Sequence, residues 1–492
     1  MSSSTGISRR AAIGYGALGA GVVGAGIFGV TTLLNQPSSG PHAAHPANTG
    51  GTATMPPVLR SSNGKLAIDL TAAMTTTQID DKTAHLMTYN GVSPAPTWVV
   101  KPGDTITVNL KNALGEPTNL HTHGLHVSPA GDSDNVFRHI ADGETASYTY
   151  ELGADHPSGV FWYHPHMHGM TADQLFAGLY GAIIVEEPDA PETAVDRVLV
   201  VSDITLRNDG QVATPNQMSK MMGREGDLIM VNGQVAPNYT FTPNTTERWR
   251  IVNACASRYL DLASTGASMQ LLGIDSGHYA TPKNVSTFRL TPGNRADLLV
   301  SLGSGNAGLT YTTVPHPDSM GMGNTATYTN LPIATFSSGA SAVTPALAPT
   351  FAAAPDLRKA TLTGTRGLTL NMPGMGGGMM GGGGNGAFTI NGNSFNMDII
   401  NEHAKIGAIE EWTIINASTM DHPFHLHVWP MQLMSVGGKA VEGVEYQDVV
   451  NVPAKSQSVV RINFDAFPGK TVYHCHILDH EDLGMMGVIE AS

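Results

Sequence analysis

A strand-forming run that ends on an Asn-Ala turn occurs three times in this chain of 492 residues. The copies read Glu247-Arg248-Trp249-Arg250-Ile251-Val252-Asn253-Ala254, Glu411-Trp412-Thr413-Ile414-Ile415-Asn416-Ala417 and, more weakly, Thr105-Ile106-Thr107-Val108-Asn109-Leu110-Lys111-Asn112-Ala113. A repeat at this spacing means one supersecondary unit used three times, and the β-branched, apolar runs make that unit a strand and turn. Nine and eleven residues after Asn112 stand His121 and His123, and the same offsets after Asn416 give His425 and His427. After Asn253 they give Leu262 and Ser264. Farther along, Tyr163-His164-Pro165-His166 answers Tyr473-His474-Cys475-His476, whereas the middle copy offers Tyr311-Thr312-Thr313. The boundaries this implies are 52–188, 189–345 and 346–492, the middle unit having lost its histidines.

Composition fits such a division. With Gly 56, Pro 30 and only 13% charged residues, the chain suits many short strands joined by tight turns. The expected fold is all-β, three β-sandwiches in a row. A formal charge of -14 argues against nucleic acid, whose phosphates need a basic face, and would gather cations instead. Residues 1–51 read as an export signal and spacer. Ser8-Arg9-Arg10 precedes an uncharged, Gly- and Ala-rich stretch from Ala11 to Leu34, the pattern of a twin-arginine signal. That stretch is also long enough to anchor in a membrane, and no later run is. The expectation is an exported protein, periplasmic, on the cell surface or extracellular. His42 and His45 fall in the spacer and read as solvated linker.

Four His-x-His pairs stand at equivalent places in the first and third copies: His121/His123, His164/His166, His425/His427 and His474/His476. Residues two apart on a strand share a face, so each pair can converge on one centre. One pair is weak evidence, but four at equivalent places in two repeats are not accidental. Between His474 and His476, Cys475 must face the other way, with His480 and Met485 downstream and His422 upstream of the third pair. Two histidines, a thiolate and a thioether make the ligand set of a blue copper electron-transfer site. Zinc also takes histidine and cysteine, but it has no redox chemistry and the methionine favours copper. The other cysteine, Cys255, lies in an apolar strand-like run and reads as a small buried core residue.

His121-Thr122-His123-Gly124, His164-Pro165-His166, His422-Pro423-Phe424-His425-Leu426-His427 and His474-Cys475-His476 with His480 and Met485 together resemble the multicopper oxidase family. The resemblance spans essentially all of the chain after residue 51. It implies three cupredoxin-like domains and four coppers per chain, with electrons taken singly from a reductant and passed to dioxygen, which becomes water. It further implies a type 1 copper on His422, Cys475, His480 and Met485, and a type 2 copper on His121 and His425. The type 3 pair would be held by His123, His164, His166, His427, His474 and His476. His126 and His168 lie outside this pattern. Reducing dioxygen consumes protons, and acids beside the coppers can relay them. Glu481, next to His480, stands where similar enzymes place a relay acid; Asp134 is the other choice, with Asp132 as its competitor.

The reductant is less legible. Met372, Met375, Met379 and Met380 sit in a glycine-rich segment, with further methionines at Met218, Met221, Met222, Met320 and Met322. Thioethers are soft ligands suited to Cu(I), and methionine-rich inserts resemble those of copper-efflux oxidases. The segment also fits a low-complexity linker, which would leave a laccase acting on phenols. A copper-binding protein without turnover is the alternative from another class. It gains nothing from two copper sites wired through adjacent residues. A two-domain copper nitrite reductase needs fewer than four such pairs.

Overall fold

The computed structural model describes residues 53–188, 190–314, 327–339, 351–372 and 388–492. Six sheets arise from them, two from each third of the sequence. In the first third, a sheet carrying Lys65–Ile79 and Thr105–Ala113 packs on one carrying Gly159–His164 and His121–His123. The middle third pairs a seven-stranded sheet built round Thr245–Asn253 with a five-stranded one. In the last third, the sheet holding Ile409–Asn416 faces the sheet holding His422–Leu426 and Gly469–Cys475. Three cupredoxin-like β-sandwiches therefore lie within one compact unit, each with its own apolar core. A fourth apolar cluster, with Trp162, Leu175, Val200, Val252 and Leu478, joins residues of all three thirds.

The Asn-Ala turn recurs because its asparagine side chain is buried and satisfies backbone groups that the turn leaves unpaired. Asn112 Nδ2 donates to the Glu116 and Ile140 carbonyls, and its Oδ1 accepts from Leu114 N. Asn416 bonds to Met420, Val452 and Ser418 in the same way, and Asn253 to Arg258, Leu290 and Cys255. Ahead of two of these turns, a buried Trp donates to the Glu two residues earlier, Trp249 to Glu247 and Trp412 to Glu410.

Strand pairing corrects the middle copy by one residue. His121 pairs with His164, and His425 with His474. In the middle sandwich the residue before Tyr311's partner Leu262 is Asp261, opposite Thr312. The histidine positions thus fall to Asp261 and Ala263, not Leu262 and Ser264, because the loop after Asn253 differs in length. A one-residue slip moves every side chain to the other face.

Among the described residues there are three short α-helices: α1 (Thr171–Phe176), α2 (Gln217–Met222) and α3 (Leu478–Asp482). No helix among the described residues is long and apolar enough to cross a membrane. The proposed export segment and Met320, Met322, Met375, Met379 and Met380 lie outside the described residues.

Candidate metal centres

All eight histidines of the four pairs are buried together. They do not converge pair by pair, as strand alternation implied. His123, His164 and His476 form one group, His166, His427 and His474 a second, and His121 and His425 meet in a third with His123. The pairs His164/His166, His425/His427 and His474/His476 thus split between groups, while His121 and His123 share the third. Only His121–His123 lies wholly on a strand; His166, His427 and His476 each fall just past a strand end. There the backbone is free to turn the second ring away from its partner, as the 6.4 Å between the centroids of His164 and His166 reflects.

The free nitrogens fit metal ions. The Nδ1 atoms of His121, His164 and His425 are engaged by Asp134, the Pro165 carbonyl and the Asp448 carbonyl, while each Nε2 is buried with no protein partner. In the second group, His474 Nε2 lies 3.2 Å from His166 Nε2 and 3.1 Å from His427 Nε2. Nitrogens bound about 2 Å from one ion in a trigonal set stand about 3.5 Å apart, so the spacing suits a shared cation. Burial, reinforced by neighbouring imidazoles, holds His123, His164, His166, His425, His427 and His476 well below the ordinary histidine pKa. Neutral imidazoles have a lone pair to give.

The fourth group is His422, Cys475 and His480. Cys475 Sγ stands 3.3 Å from His422 Nδ1 and 3.8 Å from His480 Nδ1. Met485 is fully buried in the same core, its carbonyl accepting from Cys475 N and its own N–H donating to the His480 carbonyl. The outer nitrogens are held as well, His422 Nε2 by Ser418 Oγ at 2.7 Å and His480 Nε2 by the Met221 carbonyl at 3.0 Å. Burial pushes the Cys475 thiol well above its usual value, so ionisation to a ligating thiolate needs a cation in the site. A soft S/N set of this kind favours copper. Cys255 is a free, buried cysteine, in keeping with a packing role.

Among the acids, the structure separates the competitors. Asp134 is buried, 2.9 Å from His121 Nδ1, and also accepts from Thr122 N and Oγ1. The side chain of Asp132 is 78% exposed and faces Arg138. Glu481 is buried between the second and fourth groups, with Oε2 3.0 Å from His474 Nδ1 and Oε1 3.5 Å from His166 Nε2. Neither contact is aligned as a hydrogen bond. Outside the pattern, His126 bonds to the Val428 carbonyl and pairs with Asp465, and His168 packs between Phe137 and Phe395. Met372 is half-buried against the third core.

Sequence reasoning missed Asp448 and Arg295. Asp448 Oδ1 accepts from His123 Nε2 at 2.9 Å, and both its oxygens are held by Arg295 of the middle sandwich. An acid inside the apolar run Asp448-Val449-Val450-Asn451-Val452 was the available signal. It also missed Arg224, which clamps Asp479 beside His480 and reaches Asp173 on α1.

Comparison with known proteins agrees with this geometry. Multicopper oxidase family models match residues 71–190, 195–335 and 371–492. The chain is 28% identical over 426 residues to the multicopper oxidase mco of Staphylococcus haemolyticus, covering 83% of this chain and 84% of that protein. It is 25% identical over 505 residues to a laccase of Bacillus subtilis, covering 88% and 95%. Among solved structures it resembles a multicopper oxidase of Campylobacter jejuni described as a metallo-oxidase, with TM-score 0.78, 30% identity and coverage of 90% and 95%. With three matched domains and buried histidine groups suited to copper, the chain belongs to the multicopper oxidase family and is a copper-dependent oxidoreductase with dioxygen as its electron acceptor.

Proposed function

We propose that the chain binds four coppers and couples one-electron oxidation of a small reductant to four-electron reduction of dioxygen. The type 1 copper falls to His422, Cys475, His480 and Met485, and the type 2 copper to His121 and His425. The type 3 pair falls to His123, His164 and His476 on one side and His166, His427 and His474 on the other. When bound, the four coppers, each cycling by one electron, would together supply the four electrons that dioxygen needs. One observation carries this reading: Cys475 lies between His474 and His476 in sequence, and those two histidines belong to different groups. The backbone thus joins the electron-accepting site to both halves of the cluster. Asp134 orients His121, and Glu481, within reach of His166 and His474, is placed to hand on protons.

The preferred reductant in this proposal is Cu(I), in a copper-tolerance role. The support is that Met221 covers His480 and that Met218, Met222 and Met372 add soft thioethers on the described part of the chain. The second reading, a laccase acting on phenols, is favoured by the likeness to the Bacillus laccase. Oxygen uptake with Cu(I) and with a simple phenol, at matched concentrations, separates them. Faster turnover of the phenol would move the assignment to laccase, and no uptake with either would leave a copper-binding protein.

We further propose export through the twin-arginine machinery, on the strength of Ser8-Arg9-Arg10 and the uncharged stretch behind it. Changing Arg9 and Arg10 to Lys should retain the protein in the cytoplasm. Unchanged export of that variant would refute the route.

A further inference from the structure

Seven of the eight clustered histidines turn Nε2 inward, and His123 turns Nδ1, which lies 3.3 Å from His476 Nε2. The reason is local. His123 Nε2 is taken up by Asp448 Oδ1 at 2.9 Å, so its free lone pair is on Nδ1. Asp448 in turn is gripped by both arms of Arg295, at 2.6 and 2.7 Å, and by Ser276 Oγ at 3.0 Å. Arg295 and Ser276 belong to the middle sandwich, which supplies no ligand to the four proposed coppers.

Two glycines show how closely this clamp is built in. Gly124, directly after His123, has φ +86, and a Cβ there would stand 2.5 Å from Arg295 Nη2 and 2.7 Å from Asp448 Oδ2. Gly293, two residues before Arg295, has φ +87, and its Cβ would meet the His476 ring at 2.8 Å. The turn is fixed from behind, since Asn294 Nδ2 donates to Asp275 Oδ2 and to the Val449 carbonyl. Asp275 also accepts from the backbone N–H groups of Arg295, Asp448 and Val449.

We propose that Arg295 is a positioning residue for the three-copper cluster. Acting through Asp448, it holds His123 in the orientation that presents Nδ1, so the copper-free middle sandwich sets the geometry of a site whose ligands all come from the other two. The inference rests on the copper assignment above. Partners that orient a metal-bound histidine usually change metal affinity about 10- to 100-fold when removed.

The test measures copper per chain and the blue thiolate band of the loaded protein, before and after dialysis against a graded chelator. Arg295→Met and Asp448→Asn should keep the blue band per chain and release cluster copper at about 10- to 100-fold lower chelator strength than wild type. The double variant should be no worse than either single one, because the two residues act as one unit. Arg295→Lys keeps the charge but cannot grip both oxygens, so it should fall between wild type and Arg295→Met. Wild-type copper retention in Arg295→Met overturns the proposal. So does parallel loss of blue band and cluster copper, the mark of general destabilisation. Should Arg295→Met fail to accumulate, Arg295→Lys is read by the same criterion. A wild-type protein without a blue band would refute the copper assignment itself.

Discussion

His480 Nε2 meets the carbonyl oxygen of Met221 at 3.0 Å, so the outward edge of this ring is covered by α2 of the middle sandwich. That helix is held in place at its end, where Gly223 packs so tightly on Ser257 and Ile477 that a Cβ would lie under 3 Å from both. If Cys475 marks the electron-accepting site as proposed, a reductant approaching from this side would meet Met221.

Two methionine sets are candidates for holding Cu(I). Changing Met218, Met221 and Met222 to Leu, or Met372, Met375, Met379 and Met380 to Leu, preserves bulk and apolar character at a cost usually under about 1.5 kcal/mol. A set that holds Cu(I) should show a several-fold rise in the KM for Cu(I) with phenol oxidation steady or improved. Steady-state oxygen uptake with both reductants reads the difference. Equal loss of both activities would mean a packing role.

Cys475→Ser should abolish the blue band and oxidase turnover together. The hydroxyl cannot supply the thiolate that copper binds, nor the electron path to His474 and His476. Absorption spectra and copper content check this, and a variant that stays blue and active would place the electron-accepting site elsewhere.

Asp134→Asn and Glu481→Gln should slow oxygen reduction by about 100-fold or more with copper still bound, since proton supply is lost and no proposed ligand is removed. Stopped-flow reoxidation of the reduced enzyme isolates that step. Full turnover in both variants would put the relay on other groups.

A stability prediction concerns the middle sandwich. Asp297 is buried, which alone would raise its pKa, yet Arg248 and Arg250, with His278, hold it well below the carboxylate range. Its unfolded value is about 3.9, so its contribution is complete above roughly pH 4 and declines as pH falls towards the folded value. Asp297→Asn should cost up to about 3–5 kcal/mol at neutral pH, because Arg248 and Arg250 lose the buried carboxylate they share and keep only Glu187 and Asp196 as partners. In urea unfolding, the gap to wild type should narrow below about pH 4. A gap independent of pH would mean that the carboxylate charge is not its source.

The repeat, the three sandwiches and the set of proposed copper ligands were legible along the chain because each depends on local order. A strand and its Asn-Ala turn recur within a few residues, and copper restricts which residue types can stand near one another. The local rule ran out where strands ended. His166, His427 and His476 lie past those ends, so only the folded backbone could show that their three pairs divide between groups. Loop length likewise hid that Asp261, not Leu262, takes the histidine's place in the middle copy.

What the sequence by itself determined is therefore the unit, its number and the chemistry of its donors. Tertiary structure alone decided which nitrogen each histidine offers, that Asp134 and not Asp132 faces the cluster, and that Arg295, Asp448 and Met221 reach ligands far away in the chain. The physical reason is that periodicity records which face of a strand is buried, whereas the partner across a domain boundary depends on how three separately formed sandwiches pack together.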